Sequence, residues 1–398
     1  MKNKKNISLY IIAIIIIGIN LRPAITSVGP LLGDIRDELG LDNWSAGTIT
    51  SLPLIAFAIF SPIAPKISRA LGDTKAILFG LSLLTVGICI RSIPVTLTLF
   101  IGTAIIGSGI AMMNVLLPSI IKKLFPEKVG IMTSVYSSSM SIFAATASGI
   151  SVPLANNADL GWKISLLFWV GLSILGILVW IIVLKTEPSN QKGENINNNS
   201  NNSSINVMHS PLAWQVTGFM AMNSFVFYVT VAWLPEIMQS FGFSVVTAGW
   251  LVSYAQIIGL PATFLAPSIA GKLADQRIIV LIIGFMMTIG FIGLLISNSL
   301  FIVLVSVTLI GFSAGGAVSL SLAFLGMRSR NAQQAGELSG MAQSIGYAFA
   351  AIGPLFIGLL FDFTKEWTVP LIVIIIISIL MTISGVGAGR NKYISNDV

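Results

Sequence analysis

The chain has 398 residues, of which 55% are hydrophobic and only 9% charged, where a soluble domain carries roughly a quarter charged side chains. So few charges cannot cover that much apolar surface in water, whereas a bilayer span takes about 20 apolar residues. Twelve such spans with short loops use up this length, so the expected fold class is an all-α polytopic membrane protein. The single cysteine, Cys89, lies in an apolar run, and the single histidine, His209, in a polar linker. That inventory excludes a disulfide framework, cysteine or histidine metal clusters and a Ser-His-Asp triad. The net charge of +7 is accounted for below by loop placement.

In chain order, spans are predicted near 7–33, 44–65, 74–93, 96–119, 129–154, 162–184, 211–237, 245–269, 277–297, 299–325, 334–361 and 367–388. The first stretch is too long for a signal-peptide core and lacks a small-residue cleavage pattern, so it is expected to stay as the first span. Pro23, Pro30, Pro53, Pro62, Pro261 and Pro354 interrupt spans, which membrane bundles tolerate when neighbouring helices re-satisfy the freed backbone groups. With the N-terminus in the cytoplasm, 17 of the 22 lysines and arginines fall on that side. The other side receives Arg36, Arg91, Lys163 and Lys365, and Arg22 falls within a span. Basic residues retained inside set orientation, so both termini are expected to be cytoplasmic and the positive charge to be topological. No nucleic-acid partner is expected.

Between the sixth and seventh spans, Ser189 to Ser210 changes composition abruptly, and Asn195 to Asn206 is almost entirely Asn, Ser and Ile. Such a segment buries too little apolar surface to fold and reads as a cytoplasmic tether. The expected organisation is therefore a six-helix bundle over 1–188, a linker over 189–210 and a second six-helix bundle over 211–398. The bundles also repeat each other. Ala64-Pro65 recurs 202 positions later as Ala266-Pro267, and at the same offset Gly40 matches Gly242, Ala46-Gly47 matches Ala248-Gly249, and Asp73 matches Asp275. Six spans, a tether and six similar spans in the same orientation describe a duplicated transporter fold.

That architecture resembles the major facilitator superfamily across essentially the whole chain. The run Gly18-Ile19-Asn20-Leu21-Arg22-Pro23-Ala24-Ile25-Thr26-Ser27-Val28-Gly29-Pro30-Leu31-Leu32 is similar to the first span of its cyanate and nitroimidazole transporter branch, as is Trp233-Leu234-Pro235 at the end of the seventh. The superfamily's loop motif after span two, G-x-x-x-D-[RK]-x-G-[RK]-[RK], is degraded. Pro65-Lys66-Ile67-Ser68-Arg69-Ala70-Leu71-Gly72-Asp73 lacks the motif's aspartate at its place.

Arg22 is the strongest candidate for solute recognition. It lies fifteen residues beyond Ile7, or roughly 22 Å into the span at 1.5 Å per residue. An arginine there costs roughly 2.5–3.5 kcal/mol even on the lenient insertion scale. No acidic partner is recognisable within a span, and Asp34 is about 18 Å away along the axis. A planar fork of donors without a counter-anion suits a carboxylate-like or small inorganic anion. The bland alternative is an arginine satisfied by neighbouring carbonyls, Asn and Ser.

A second tier is polar and uncharged: Asn20, Asn114, Tyr136, Ser137, Tyr228, Tyr254, Gln256, Gln343 and Tyr347. The resemblance implies that their spans surround a central cavity, while amides and hydroxyls also serve as interhelical glue. Phe227 and Tyr228 fit a cavity wall or an interfacial belt, and Trp233 fits the belt better. Asp73 and Asp275, with Arg69 and Arg277 nearby, read either as helix caps or as a cytoplasmic gate. Gly107-Ser108-Gly109 and Gly311 to Gly316 read as close-packing surfaces.

The expected function is secondary transport of a small, anionic or anion-like (cyanate-like) solute across the cytoplasmic membrane by alternating access. Efflux of nitroaromatic or amphipathic drugs is the alternative within transport. A membrane-embedded enzyme or sensor fits poorly, because spans lack clustered acids, histidines or cysteines and no signalling domain is attached. No cofactor or metal is expected, and no nucleotide motif supports ATP-driven pumping. The expected partners are the solute and the lipid bilayer, with the protein a monomer.

Overall fold

The computed structural model describes residues 4–41, 43–156, 161–186 and 207–394. Most of the tether lies outside the described residues. The described chain forms sixteen α-helices: α1 (Lys4–Asn20), α2 (Pro23–Thr26), α3 (Leu32–Leu39), α4 (Asn43–Phe60), α5 (Ala64–Leu71), α6 (Asp73–Arg91), α7 (Thr96–Leu124), α8 (Val129–Asn156), α9 (Gly161–Leu167), α10 (Trp169–Thr186), α11 (Pro211–Ser240), α12 (Val245–Ala270), α13 (Arg277–Ile296), α14 (Leu300–Met327), α15 (Ala332–Thr364) and α16 (Thr368–Ala388). By length and composition, eleven segments are able to cross a membrane, or twelve if the bent pair Ser51–Phe60 and Ala64–Leu71 is one span. The protein is a multi-pass, all-α membrane protein.

Proline placement explains where helices break. Pro23 opens α2 and Pro62 sits in the turn before α5, which bends away by 54°. Pro53, Pro261 and Pro354 instead stay inside α4, α12 and α15. The repeated Ala-Pro pair thus has two outcomes. Ala64-Pro65 starts a new helix after the bend, whereas Ala266-Pro267 continues α12 to its end.

The chain divides into two compact units, Met1–Leu117 with Ser139–Ser210 and Ile394–Val398, and Pro118–Ser138 with Pro211–Tyr393. In the first unit, α3 continues the first span as an amphipathic cap. Ile35 joins a core with Val28, Leu31, Ile49, Leu99, Trp162 and Leu166. On its polar side Glu38 accepts the Trp162 indole N–H at 2.7 Å and pairs with Lys163 at 2.5 Å. The helices α6 and α7 approach closely, because a Cβ on Gly109 would come within 2.6 Å of the Gly80 carbonyl.

In the second unit, glycine again sets the spacing. A Cβ on Gly311 would lie 2.3 Å from the Ala255 carbonyl, and one on Gly315 2.2 Å from the Gly259 carbonyl. The predicted close-packing surface is therefore the α12–α14 contact, a small-xxx-small seam. Pro118–Ser138, the end of α7 and the start of α8, packs in the same unit. Ser119 donates to the Ala332 carbonyl at 2.7 Å, Ser134 to the Phe264 carbonyl at 2.8 Å, and Ser268 to the Ser134 hydroxyl at 2.9 Å. Gly130 lies flat against Pro267 and Gly271, with room for no side chain.

Arg328, one of the 17 basic residues assigned to the cytoplasmic side, is buried. Its Nε donates to the Ala388 carbonyl at 2.7 Å, its Nη2 to the Gly389 carbonyl at 3.2 Å and to the Gln276 amide oxygen, and its plane lies 5.2 Å from the Phe324 ring centre. Burial pushes this guanidinium down to about 10, while the Asp275 carboxylate opposes the shift. Arg328 joins the end of α14 to the ends of α13 and α16.

Candidate binding site

The first span fails to remain one helix because of the Arg22-Pro23 pair. Proline has no N–H and its ring clashes with the carbonyl four residues back, and it also disfavours helical backbone at the preceding residue. Accordingly α1 ends at Asn20, and Arg22 adopts φ −122° and ψ −38° before α2 begins. The Arg22 carbonyl accepts the backbone N–H groups of Ile25 at 2.9 Å and Thr26 at 3.0 Å. The α2 turn is then pinned to α8. Thr26 Oγ1 donates to the Ala144 carbonyl at 3.0 Å, and Ser148 donates to the Thr26 carbonyl at 3.1 Å. Arg22 itself is half-buried at this break.

The second-tier residues sort into distinct roles. Asn20 is buried and its amide donates to the Ile16 carbonyl at 2.8 Å and the Leu172 carbonyl at 3.3 Å, tying α1 to α10. Asn114 is buried on α7 in the same unit. In the second unit, Gln343 is wholly buried and its amide donates to Ser339 Oγ at 2.8 Å. Tyr347 follows one turn later on the same face of α15. Tyr136 is 1% exposed, its hydroxyl has no hydrogen-bond partner among the described residues, and Tyr347 lies within electrostatic reach. Ser137, next to Tyr136, donates to the Ser134 carbonyl at 3.3 Å.

Tyr254 meets Thr308 Oγ1 at 2.9 Å and so holds α12 to α14, while Gln256 is exposed. Tyr228 is half-buried and packs edge-on against Phe227 at 5.3 Å. Trp233 donates its indole N–H to the Pro354 carbonyl at 2.8 Å and lies 5.7 Å from the Trp367 ring. It packs between α11 and α15 and does more than mark an interface.

Among the gate candidates, the capping reading of Asp73 needs correction. Gly72 is the N-cap residue of α6, with φ +85°, and it has no side-chain cap; Asp73 is the first helical residue and accepts from the Ser68 hydroxyl. The positive φ favours glycine at the cap and moves the acid one place inward, where it still complements the helix dipole. Asp275 accepts the Arg277 backbone N–H at 2.9 Å and pairs with its guanidinium at 3.2 Å on an exposed surface. Arg69 is exposed at the end of α5.

One residue has a role that its assignment to the outer side does not reveal. Arg91, the last residue of α6, is 1% exposed, and its Nη1 donates to the Ala24 carbonyl of α2 at 2.5 Å. The signal was present in the spacing. Ile77, Gly80, Leu84, Gly87, Ile88 and Arg91 form the buried stripe of α6, and a 3.6-residue period extended to the helix end puts Arg91 inward.

Comparison with known proteins agrees with this architecture. The profile of the Major Facilitator Superfamily matches residues 11–354. The chain is 48% identical to the uncharacterized transporter YycB of Bacillus subtilis (strain 168) over 393 residues, covering 98% of this chain and 96% of that one. It is 39% identical to the 2-nitroimidazole transporter of Escherichia coli (strain K12), covering 98% of each. It is 23% identical to the cyanate transport protein CynX of the same organism, covering 88% and 89%. Among solved structures, the proton:xylose symporter XylE superimposes with a TM-score of 0.78 at 13% identity, covering 96% and 95%; that likeness concerns the fold. The helices, the matched profile and the end-to-end relatives together show that this chain belongs to the Major Facilitator Superfamily of transporters and resembles its nitroimidazole and cyanate transporter branch.

Proposed function

We propose that the protein is a secondary transporter that moves a small planar solute with an anionic or anion-like head across the cell membrane by alternating access, with both termini in the cytoplasm. The observation that carries this reading is Arg22, half-buried at the proline break of the first span. A cation inside a span is costly and marks a solute or ion pathway. The guanidinium plane matches a two-oxygen head in a way that a point charge does not. The name of the 23% identical relative, a cyanate transport protein, agrees with an anionic solute.

A second reading, efflux of nitroaromatic compounds, is favoured by the 39% identical relative named as a 2-nitroimidazole transporter. A nitro group presents the same planar pair of oxygens as a carboxylate or nitrate, without the full charge. Counterflow in proteoliposomes with cyanate, nitrate, small carboxylates and nitroimidazoles separates the two. Exchange of the anions supports the first reading, exchange of nitroimidazoles alone supports the second, and no exchange of any of them overturns both.

A further inference from the structure

Arg91 is the largest fully buried side chain that the transport reading leaves unused. Its main chain is wedged against α7, where a Cβ on Gly102 would come within 2.4 Å of the Arg91 backbone nitrogen. One nitrogen, Nη1, holds the Ala24 carbonyl; Nε and Nη2 are buried with no acceptor, and no carboxylate pairs with Arg91 among the described residues. Arg328 shows how this fold satisfies a buried arginine that is only structural, with acceptors on both its Nε and its Nη2. Arg91 lacks acceptors on the same two atoms.

Those two nitrogens form one edge of the guanidinium, the edge that donates two parallel hydrogen bonds to a planar pair of oxygens. A buried charged donor left unmade is destabilising, and burying a cation without an anion is more so. The position adds to the argument, because Ala24 lies two residues beyond Arg22, in the short α2 turn just past the proline break. We propose that Arg91 is a second anion-binding residue, whose Nε/Nη2 edge takes a small planar oxyanion, a carboxylate or nitrate-like group, beside the break in the first span. In this structure the edge is closed from solvent, so the anion enters when the four-residue α2 turn shifts. The occupant is either the transported solute, which rests on the function proposed above, or a resident counter-ion.

Thermal unfolding of the purified full-length protein tests this, with nitrate or benzoate titrated against sulfate at constant ionic strength. A ligand that binds only the folded state raises the midpoint. Wild type is expected to be stabilised by both planar anions, and Arg91→Gln to need at least tenfold more anion for half the shift. Arg91→Lys keeps the charge but not the edge, and the same tenfold weakening is expected; it replaces Arg91→Gln if that variant does not fold. Unchanged anion dependence in a folded Arg91 variant, or no stabilisation of wild type by either anion, overturns the proposal. Counterflow then identifies the source. Loss of exchange along with binding assigns the transported solute, and intact exchange with lost binding assigns a resident ion. If wild type exchanges no anion but its Arg91-dependent stabilisation remains, the anion-transport reading fails and this site stands.

Discussion

Replacing Gly315 by alanine puts a Cβ 2.2 Å from the Gly259 carbonyl oxygen and 2.8 Å from the Gly259 Cα and carbonyl carbon. Ordinary contact begins near ~3.5 Å, and the atoms in the way are backbone, so α12 and α14 must part by about 1 Å. Overpacking of this kind costs typically 1–3 kcal/mol, against the roughly 0.5–1 kcal/mol gained when alanine replaces a helical glycine. A net destabilisation of about 1–2 kcal/mol is expected. Gly149 on α8 is the control, because nothing lies within 4 Å of a Cβ built there, so Gly149→Ala is expected to stabilise by about 0.5–1 kcal/mol. Gly259→Ala, whose Cβ meets only the Gly311 carbonyl at 2.9 Å at close range, falls between the two. Unfolding midpoints followed by tryptophan fluorescence in one detergent give the ranking Gly149→Ala above wild type, then Gly259→Ala, then Gly315→Ala. If Gly315→Ala is as stable as Gly149→Ala, backbone contact does not set the α12–α14 spacing and the reasoning fails.

Three further outcomes are expected. Arg22→Lys, in correctly folded protein, loses at least tenfold in counterflow, since lysine lacks the planar fork; wild-type exchange would leave Arg22 an electrostatic or structural role. A cysteine at Asn199, in a Cys89→Ser background because Cys89 is exposed, is labelled by an impermeant reagent only after cells are opened, and labelling of intact cells would reverse the proposed orientation. Asp34 is exposed and Asp362 is an exposed partner of Lys365 at 3.5 Å, neither buried as a proton-carrying carboxylate usually is. The Asp34→Asn, Asp362→Asn double variant should therefore keep gradient-driven uptake into proteoliposomes, and loss of accumulation with counterflow intact would assign coupling to one of these acids.

Hydropathy and proline placement alone determined the fold class, the spans and the break beside Arg22, because the cost of an unpaired backbone group in lipid leaves helices as almost the only way to hide apolar sequence. The offset of 202 residues exposed the duplication, and the first-span run pointed to the family. Tertiary structure decided which polar groups tie helices together. Asn20 links α1 to α10 and Tyr254 links α12 to α14, which neither residue type nor position in the sequence distinguishes. Ala64-Pro65 and Ala266-Pro267 are the same dipeptide, yet only the first follows a bend. Arg91 shows the reason most plainly. Hydropathy measures transfer out of water, and lipid and protein interior are equally apolar, so it cannot tell a residue at the membrane edge from one inside the bundle. That difference was made by Gly102, whose missing side chain lets α7 close over Arg91, and by the α2 turn, whose Ala24 carbonyl receives it.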